Sequence, residues 1–325
     1  ILVAVAIALI GVVVIFQVLS LWEERKRTNS SGSDAQVAGT LAMFNLDRDI
    51  RLGGMGFGMS TYLGCTVQAY DTARSPSAFT FSLYPVEIVQ GTSGAADTIR
   101  VLYGTSSTVV GNQAFTTSSA TSKKTTGRAG FNKGDLVLVA GNVARDCALV
   151  EVTDNTNADA LTIDHGAVAY VNYLSENVTA RFNNPAGTGT TFSAGALHNF
   201  GPGNATSTSV LPPRWNEWAI RTNNTLAWSD KLHDSNTWFE VAEGIVNLQA
   251  EYGVDANNDN QIASSEWTTT APTSTNWSQL RAIRVAILAR SQQYEKLAVT
   301  NVAPSWQGGS FTMTDLNGTT DTNPN

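Results

Sequence analysis

Asp255–Glu266 reads DANNDNQIASSE, and its oxygen-bearing side chains recur at the spacing of a calcium-binding loop. Set on the pattern D-x-[DN]-x-[DN]-G-x5-E, Asp255, Asn257 and Asp259 take positions 1, 3 and 5, Gln261 takes position 7, where a backbone carbonyl binds, and Glu266 takes position 12, where a bidentate carboxylate belongs. Alternate side chains turned inward give Ca2+ the hard oxygen shell it requires, and Ile262 is the inward apolar anchor. Asn260 stands where the pattern has Gly, the main departure from it; Asn enters the left-handed region more readily than most residues, so the sharp turn is still allowed. The flanks alternate as strands do, so the expected object is an EF-hand-like loop inside a hairpin, with a structural role. The competing reading is a polar connection kept soluble by its Asp and Asn.

Two cysteines, Cys65 and Cys147, offer the second piece of chemistry. On the far side of a membrane they would meet an oxidising environment and pair; otherwise they are two buried thiols. Catalysis finds little footing. His165, His198 and His233 have no H-x-x-x-H spacing for zinc and read as surface or loop histidines, and there is neither a G-x-S-x-G nucleophile turn nor a phosphate-cradling Gly loop with its Lys. No organic cofactor is expected. Trp215, Trp218, Trp228 and Trp238 are suited to a sugar-binding platform, but core and edge packing is the commoner use of Trp in a β-rich head.

What positions these residues starts with Ile1–Trp22, ILVAVAIALIGVVVIFQVLSLW, in which Gln17 and Ser20 are the only polar side chains. As a helix this run spans about 33 Å, close to the hydrocarbon thickness of a bilayer. It passes straight into EERKR at Glu23–Arg27, without the charged n-region and small-residue cleavage site of a signal peptide, so a retained helix is expected. Helical spacing resumes after a polar stretch with Val37, Leu41 and Phe44 at i, i+4 and i+7, then Leu46 and Ile50. Asp34 is the expected N-cap of this second half and Gly53-Gly54 the stop, with loosening around Asn29–Ser33.

From Gly53 onward the pattern changes to short alternating segments. Expected strands are Cys65–Tyr70, Pro85–Gln90, Asp97–Tyr103, Leu136–Ala140, Cys147–Thr153, Leu161–Asp164, Val168–Tyr173, Trp218–Thr222, Ile245–Tyr252 and Ala282–Ala289. The last two are expected to pair as an antiparallel hairpin near the centre of a single antiparallel sheet packed on the polar half of the helix. Gly104–Gly130 and Pro185–Ser209, rich in Ser, Thr, Gly and Asn, read as long surface loops. The fold class is therefore α+β, with residues 1–52 as an N-terminal helix and 53–325 as a β-rich head.

Bulk properties narrow the function. A net charge of −7 and a pI of about 5.0 argue against general nucleic-acid binding, because nothing would attract the phosphates. Charged residues make up only 14% of the 325, and with abundant Thr, Ser, Asn and Gly this fits a secreted β-rich surface protein better than a cytosolic enzyme.

Several stretches carry a family resemblance. The apolar head followed by DRDIRLGGMGFG (Asp47–Gly58), then FNKGDLVLV (Phe131–Val139), CALVEVT (Cys147–Thr153), VAEGIVNLQAEYGVDANNDN (Val241–Asn260) and LRAIRVAILARS (Leu280–Ser291), resembles the PilW-like minor pilins of the type IV pilin superfamily. The methylated first Phe and registering Glu of mature pilins have no counterpart here, nor has the final aromatic, Arg-rich strand of PilW-like proteins, so no processing or registry residue is assigned. The resemblance implies a subunit of a type IV pilus or similar extracellular filament, waiting in the inner membrane and then polymerising with identical or related pilins. The filament-core face would be Ile1, Val5, Leu9, Val12, Ile15, Phe16, Leu19 and Trp22. Arg25, Lys26 and Arg27 would hold their end of the run in the cytoplasm by the positive-inside rule, whereas the resemblance places it outside; the resemblance is preferred. The alternative is a single-pass anchored surface-binding protein or adhesin that never polymerises.

Overall fold

In the computed structural model the described residues are 2–57, 61–108, 112–142, 146–154, 161–188, 192–204, 210–233, 236–273, 275–291 and 302–311. One helix, α1 (Leu2–Leu52), is followed by a β-rich head, so the class is α+β. The strands are β1 (Thr66–Tyr70), β2 (Ala78–Ser82), β3 (Val86–Val89), β4 (Thr98–Tyr103), β5 (Gln113–Ser118), β6 (Ser122–Thr125), β7 (Asp135–Gly141), β8 (Asp146–Glu151), β9 (Thr162–Asp164) and β10 (Ala169–Val171). They continue as β11 (Asn177–Thr179), β12 (Gly195–Pro202), β13 (Arg214–Ile220), β14 (Thr225–Asp230), β15 (Phe239–Glu243), β16 (Ile245–Val254), β17 (Trp267–Thr268), β18 (Leu280–Ala289), β19 (Ser305–Trp306) and β20 (Gly309–Ser310).

The helix is continuous through residues 29–33, and Asp34 lies inside it rather than capping a second half. Backbone hydrogen bonding carries the polar stretch, whose Ser31 hydroxyl bonds back to the Thr28 carbonyl at 3.0 Å. The stop falls where expected: Gly53 N–H returns to Ile50 O at 3.0 Å, and Gly54 takes φ +84°, which a side chain would oppose. The buried face differs from the apolar stripe in the sequence. Ser31, Ala42, Leu46 and Asp49 are buried, while Val37, Leu41 and Phe44 are 65%, 46% and 64% exposed. The helix thus meets the head through Ser31, Ala42, Leu46 and Asp49 and turns Val37, Leu41 and Phe44 outward.

Instead of one sheet, the described strands form an eight-stranded sheet in the order β2-β1-β8-β7-β12-β5-β6-β9, a five-stranded one in the order β15-β14-β13-β4-β3, a three-stranded one in the order β17-β16-β18, and two two-stranded ribbons, β10-β11 and β19-β20. Pairings are antiparallel except β1 with β8, which runs parallel. The helix packs against β4, β15 and β18, from the two smaller sheets. The expected hairpin is present, with Leu248 opposite Ile287 and Glu251 opposite Arg284, but β18 lies at the edge of its own sheet. Arg284 Nε donates to Glu251 Oε2 at 2.6 Å. Of the alternating set Val246, Leu248, Ala250 and Tyr252, the last three are buried and Val246 is only half-buried; at the register shift between Ile245 and Asn247 those two residues are buried instead.

Strand β7 is buried on both faces. Leu136, Leu138 and Ala140 enter the main core with Ala42 and Leu46 of the helix, while Val137 and Val139 enter a second core with Phe115, Phe192 and Leu197. Its neighbour β12 falls inside Pro185–Ser209, and β5 and β6 fall inside Gly104–Gly130, so both stretches expected as surface loops contribute to the largest sheet. Tertiary pairing overrides local propensity here. At Gly195 a Cβ would sit 1.9 Å from the Ala140 carbonyl oxygen, so the glycine that reads as a loop residue is what lets β12 lie against β7.

Candidate functional site

The point where α1 meets the head is built around one buried carboxylate. Asp49, three residues after Leu46 on the buried helix face, receives the Trp218 indole N–H at 2.6 Å and the Asn216 amide at 3.1 and 3.0 Å. Both donors come from one face of β13, two residues apart, as the pleat requires. The Asn216 amide also reaches the Tyr103 hydroxyl on neighbouring β4 at 3.3 Å. Burial, followed by the nearby Asp49 carboxylate, pushes the Tyr103 phenol well above its usual range, so it stays protonated. Sequence patterns offer Trp218 as packing or as part of a sugar-binding platform, and do not flag Asp49 as its partner. The available signal is an acidic residue in phase with Ala42 and Leu46 on a helix face that must be buried.

The calcium-loop residues fold as a tight connection between β16 and β17. Asp255 is fully buried and accepts the Asp259 and Asn260 N–H groups, each at 3.0 Å. The Asn257 side-chain oxygen also accepts the Asp259 N–H, at 3.0 Å, and Asp259 accepts the Gln261 N–H at 2.8 Å. Glu266 folds back onto the Ala256 and Ala263 N–H groups at 3.0 and 2.8 Å. Asn260 has φ +64°, the left-handed conformation required where the pattern has Gly. Arg281 Nε lies 3.5 Å from Asp255. Among the described residues no group of three or more His, Cys, Asp and Glu side chains is gathered as a metal site.

Cys65 and Cys147 form a disulfide, with Cα atoms 6.0 Å apart, at the junction where β1 and β8 run parallel. The histidines are not surface residues. His165 and His198 are buried, and His233 donates or accepts at 3.0 Å with Asp230. The His165 ring lies 2.9 Å from the Lys123 ammonium, itself buried; burial lowers His165 to about 3, with the ammonium adding to the effect, and burial lowers Lys123 to about 8. His198, on the two-sided buried strand β12, is lowered to about 4 by burial. Of the four tryptophans, Trp218 and Trp228 face α1 directly opposite each other, Trp215 packs on Phe81, and Trp238 lies beneath Arg221 and Lys231.

Val5, Leu9, Val12, Ile15, Phe16, Leu19 and Trp22 are all exposed on α1; Ile1 lies outside the described residues. Among the described residues no helix is long and apolar enough to cross a membrane.

Residues 220–321 match the family model described as Type IV Pilus-assembly protein W. The match supports involvement in type IV pilus assembly, with the association with the cell envelope or surface and with the pilus machinery that this entails. Within that class it supports a PilW-like protein. It covers about a third of the chain, and within it fall the LRAIRVAILARS stretch, the Asp255–Glu266 loop and the β16–β18 pair. No curated protein and no solved structure matches the chain.

Proposed function

We propose that the chain is a structural subunit of a type IV pilus or pilus-like filament, a PilW-like minor pilin or large principal subunit, and that it polymerises through α1. Residues 1–52 are then the assembly element and 53–325 the water-facing head. The observation that carries this reading is the exposure of Val37, Leu41 and Phe44. Val37 lies about 22 Å and Phe44 about 33 Å beyond Trp22 along the helix, on the far side of Glu23–Arg27. A bilayer holding Ile1–Trp22 is about 30 Å thick and cannot cover them as well. Apolar surface from a neighbouring subunit can, and a head-to-tail contact of this kind repeats into an open helical assembly.

In this reading the apolar run sits in the inner membrane before assembly and exchanges lipid for other helices afterwards. A purely anchored adhesin has no use for an apolar stripe so far from the membrane. The test is the triple variant Val37→Ser, Leu41→Ser, Phe44→Ser. The head should fold as before, by circular dichroism, while filaments disappear from electron micrographs. Filaments of normal number and length in the variant would overturn the proposal. The reading also includes Ca2+ as a structural ion of the Asp255–Glu266 loop, supported by the left-handed Asn260. Binding would require Glu266 to release the two N–H groups it now holds.

A further inference from the structure

The outward-facing residues of α1 carry one arrangement twice. Val37, Leu41 and Phe44 repeat the i, i+4, i+7 spacing of Ile15, Leu19 and Trp22, and all six side chains are about half exposed or more. The two triplets lie 22 residues apart in one unbroken helix. At 3.6 residues per turn this separation is close to six whole turns, so the triplets share a face to within about 40° and stand about 33 Å apart along the axis. We propose that a second copy of this chain docks parallel to the first with its helix shifted by these 22 residues, so that Ile15, Leu19 and Trp22 of one copy cover Val37, Leu41 and Phe44 of the next. This inference rests on the filament reading above and adds to it the stagger, the orientation and the surface that receives the neighbour.

Apolar matching alone does not choose a shift, because Ile1–Trp22 is apolar almost throughout. The charges choose it. With no shift, Arg25, Lys26 and Arg27 face their own counterparts. Shifts of a few residues lay the polar stretch 28–34 against the stripe, and shifts from about 10 up to 21 lay part of Glu23–Arg27 against it, where a charge loses water without gaining a partner. At 22 the charged run begins just past Phe44, and Arg25 comes level with Asp47. That carboxylate holds Arg51 at 2.7 Å in an exposed i,i+4 pair, an interaction weak enough to be shared. A shift of 26 would bring Arg25 level with Arg51 instead.

The receiving surface is also present. Beside the stripe, α1 and β18 leave an open groove of about 770 Å³, lined by Ala35, Gly39, Met43, Phe44, Asp47 and Ala289. At this shift Trp22 of the neighbour, the bulkiest of its triplet, stands level with Phe44 at one end of the groove, and the Asp47 that meets Arg25 lines the same end. Each copy then offers its upper triplet to one neighbour and its lower triplet to another, a heterologous contact that stays open at both ends.

The test is cross-linking in filaments assembled from the full chain by removing detergent. A chain carrying Leu19→Cys and Leu41→Cys, positions that stand level at this shift, should give a ladder of multimers on a denaturing gel after mild oxidation. The ladder should be at least tenfold stronger than that of Val12→Cys with Leu41→Cys, about two turns out of step on the same face. Cys65 and Cys147 are already paired and do not take part. Each single variant should stay monomeric. Independently, Asp47→Arg should reduce filament number at least tenfold, and adding Arg25→Asp should restore it. Filaments without the Leu19–Leu41 ladder, an equal ladder from the Val12 pair, a dimer from Leu41→Cys alone (the mark of an unshifted pair), or no rescue by Arg25→Asp would each overturn the stagger and leave the filament reading standing. No filaments from the unmodified chain would overturn both.

Discussion

Trp218 on β13 donates its indole N–H to Asp49 on α1 across 2.6 Å, and this contact, shared with Asn216, ties the helix to the head by a buried charge-assisted bond. Removing the acceptor leaves the buried Trp218 N–H without this bond and the Asn216 amide with only the Tyr103 hydroxyl. Asp49→Ala should therefore cost about 3 kcal/mol, by urea denaturation, and Trp218→Phe, which removes a single donor, about 1–2 kcal/mol. A loss below about 0.5 kcal/mol in both would show that the junction is held by apolar packing alone.

The buried histidines set the acid limit of stability. An exposed imidazole titrates near 6.5, whereas burial lowers His198 to about 4 and His165 to about 3. Above pH 6.5 both are neutral in either state and their contribution is complete. As pH falls below 6.5 the unfolded chain takes up protons that the folded one refuses, so stability is lost progressively down to the folded values. For His198 the loss is of order 3 kcal/mol at pH 4. Burial acts oppositely on Asp97 and Asp135, whose raised values add stability at low pH, so the readout is a difference. The gap in urea midpoint between His198→Leu and the unmodified chain should shift in the variant's favour between pH 6.5 and 4.

The disulfide closes a separation of 82 residues. In the chain-entropy model this is about 4–5 kcal/mol of stability. Cys65→Ser with Cys147→Ser should lower the Tm by the same amount as reduction of the unmodified chain, and reductant should not shift the double variant further.

The Asp255–Glu266 loop separates two kinds of stability. Asp255 anchors two loop N–H groups without any ion, so Asp255→Ala should lower the Tm even in chelator. A bound Ca2+ would make the loss from Asp259→Ala larger in calcium than in chelator. Equal losses for Asp259→Ala in both media would leave the loop held by its own hydrogen bonds.

How much of this was legible in the sequence depends on whether a residue's partner is local. The period-two alternation through Leu248, Ala250 and Tyr252 and the helix stop at Gly53-Gly54 encode structure within a few residues and are where the pattern puts them, whereas Val246, in the same phase, is only half-buried beside a register shift. Strand β12, GALHNFGP, has no such pattern, because its burial comes from β7 and β5 on either side. The helix face is legible in part: Leu46 is buried and Ile50 packs on the core, as their spacing suggests, while Val37, Leu41 and Phe44 face outward and Ser31 and Ala42 lie inward. Glu151 gives the sharpest case. It is fully buried and accepts the Asn204 amide and the Arg181 and Phe182 N–H groups at 2.8, 2.8 and 2.9 Å, from segments 30 or more residues away.

Because α1 runs from Leu2 to Leu52 without a break, its two ends share one azimuth. Each residue advances the helix by about 100°, so inserting one alanine between Arg27 and Asp34 would swing the head a little over a quarter turn around the rod relative to Val5 and Leu9. In the proposed filament the angle of each head about the fibre would therefore follow from the count of residues between Arg27 and Asp34, a polar stretch in which Ser31 is buried.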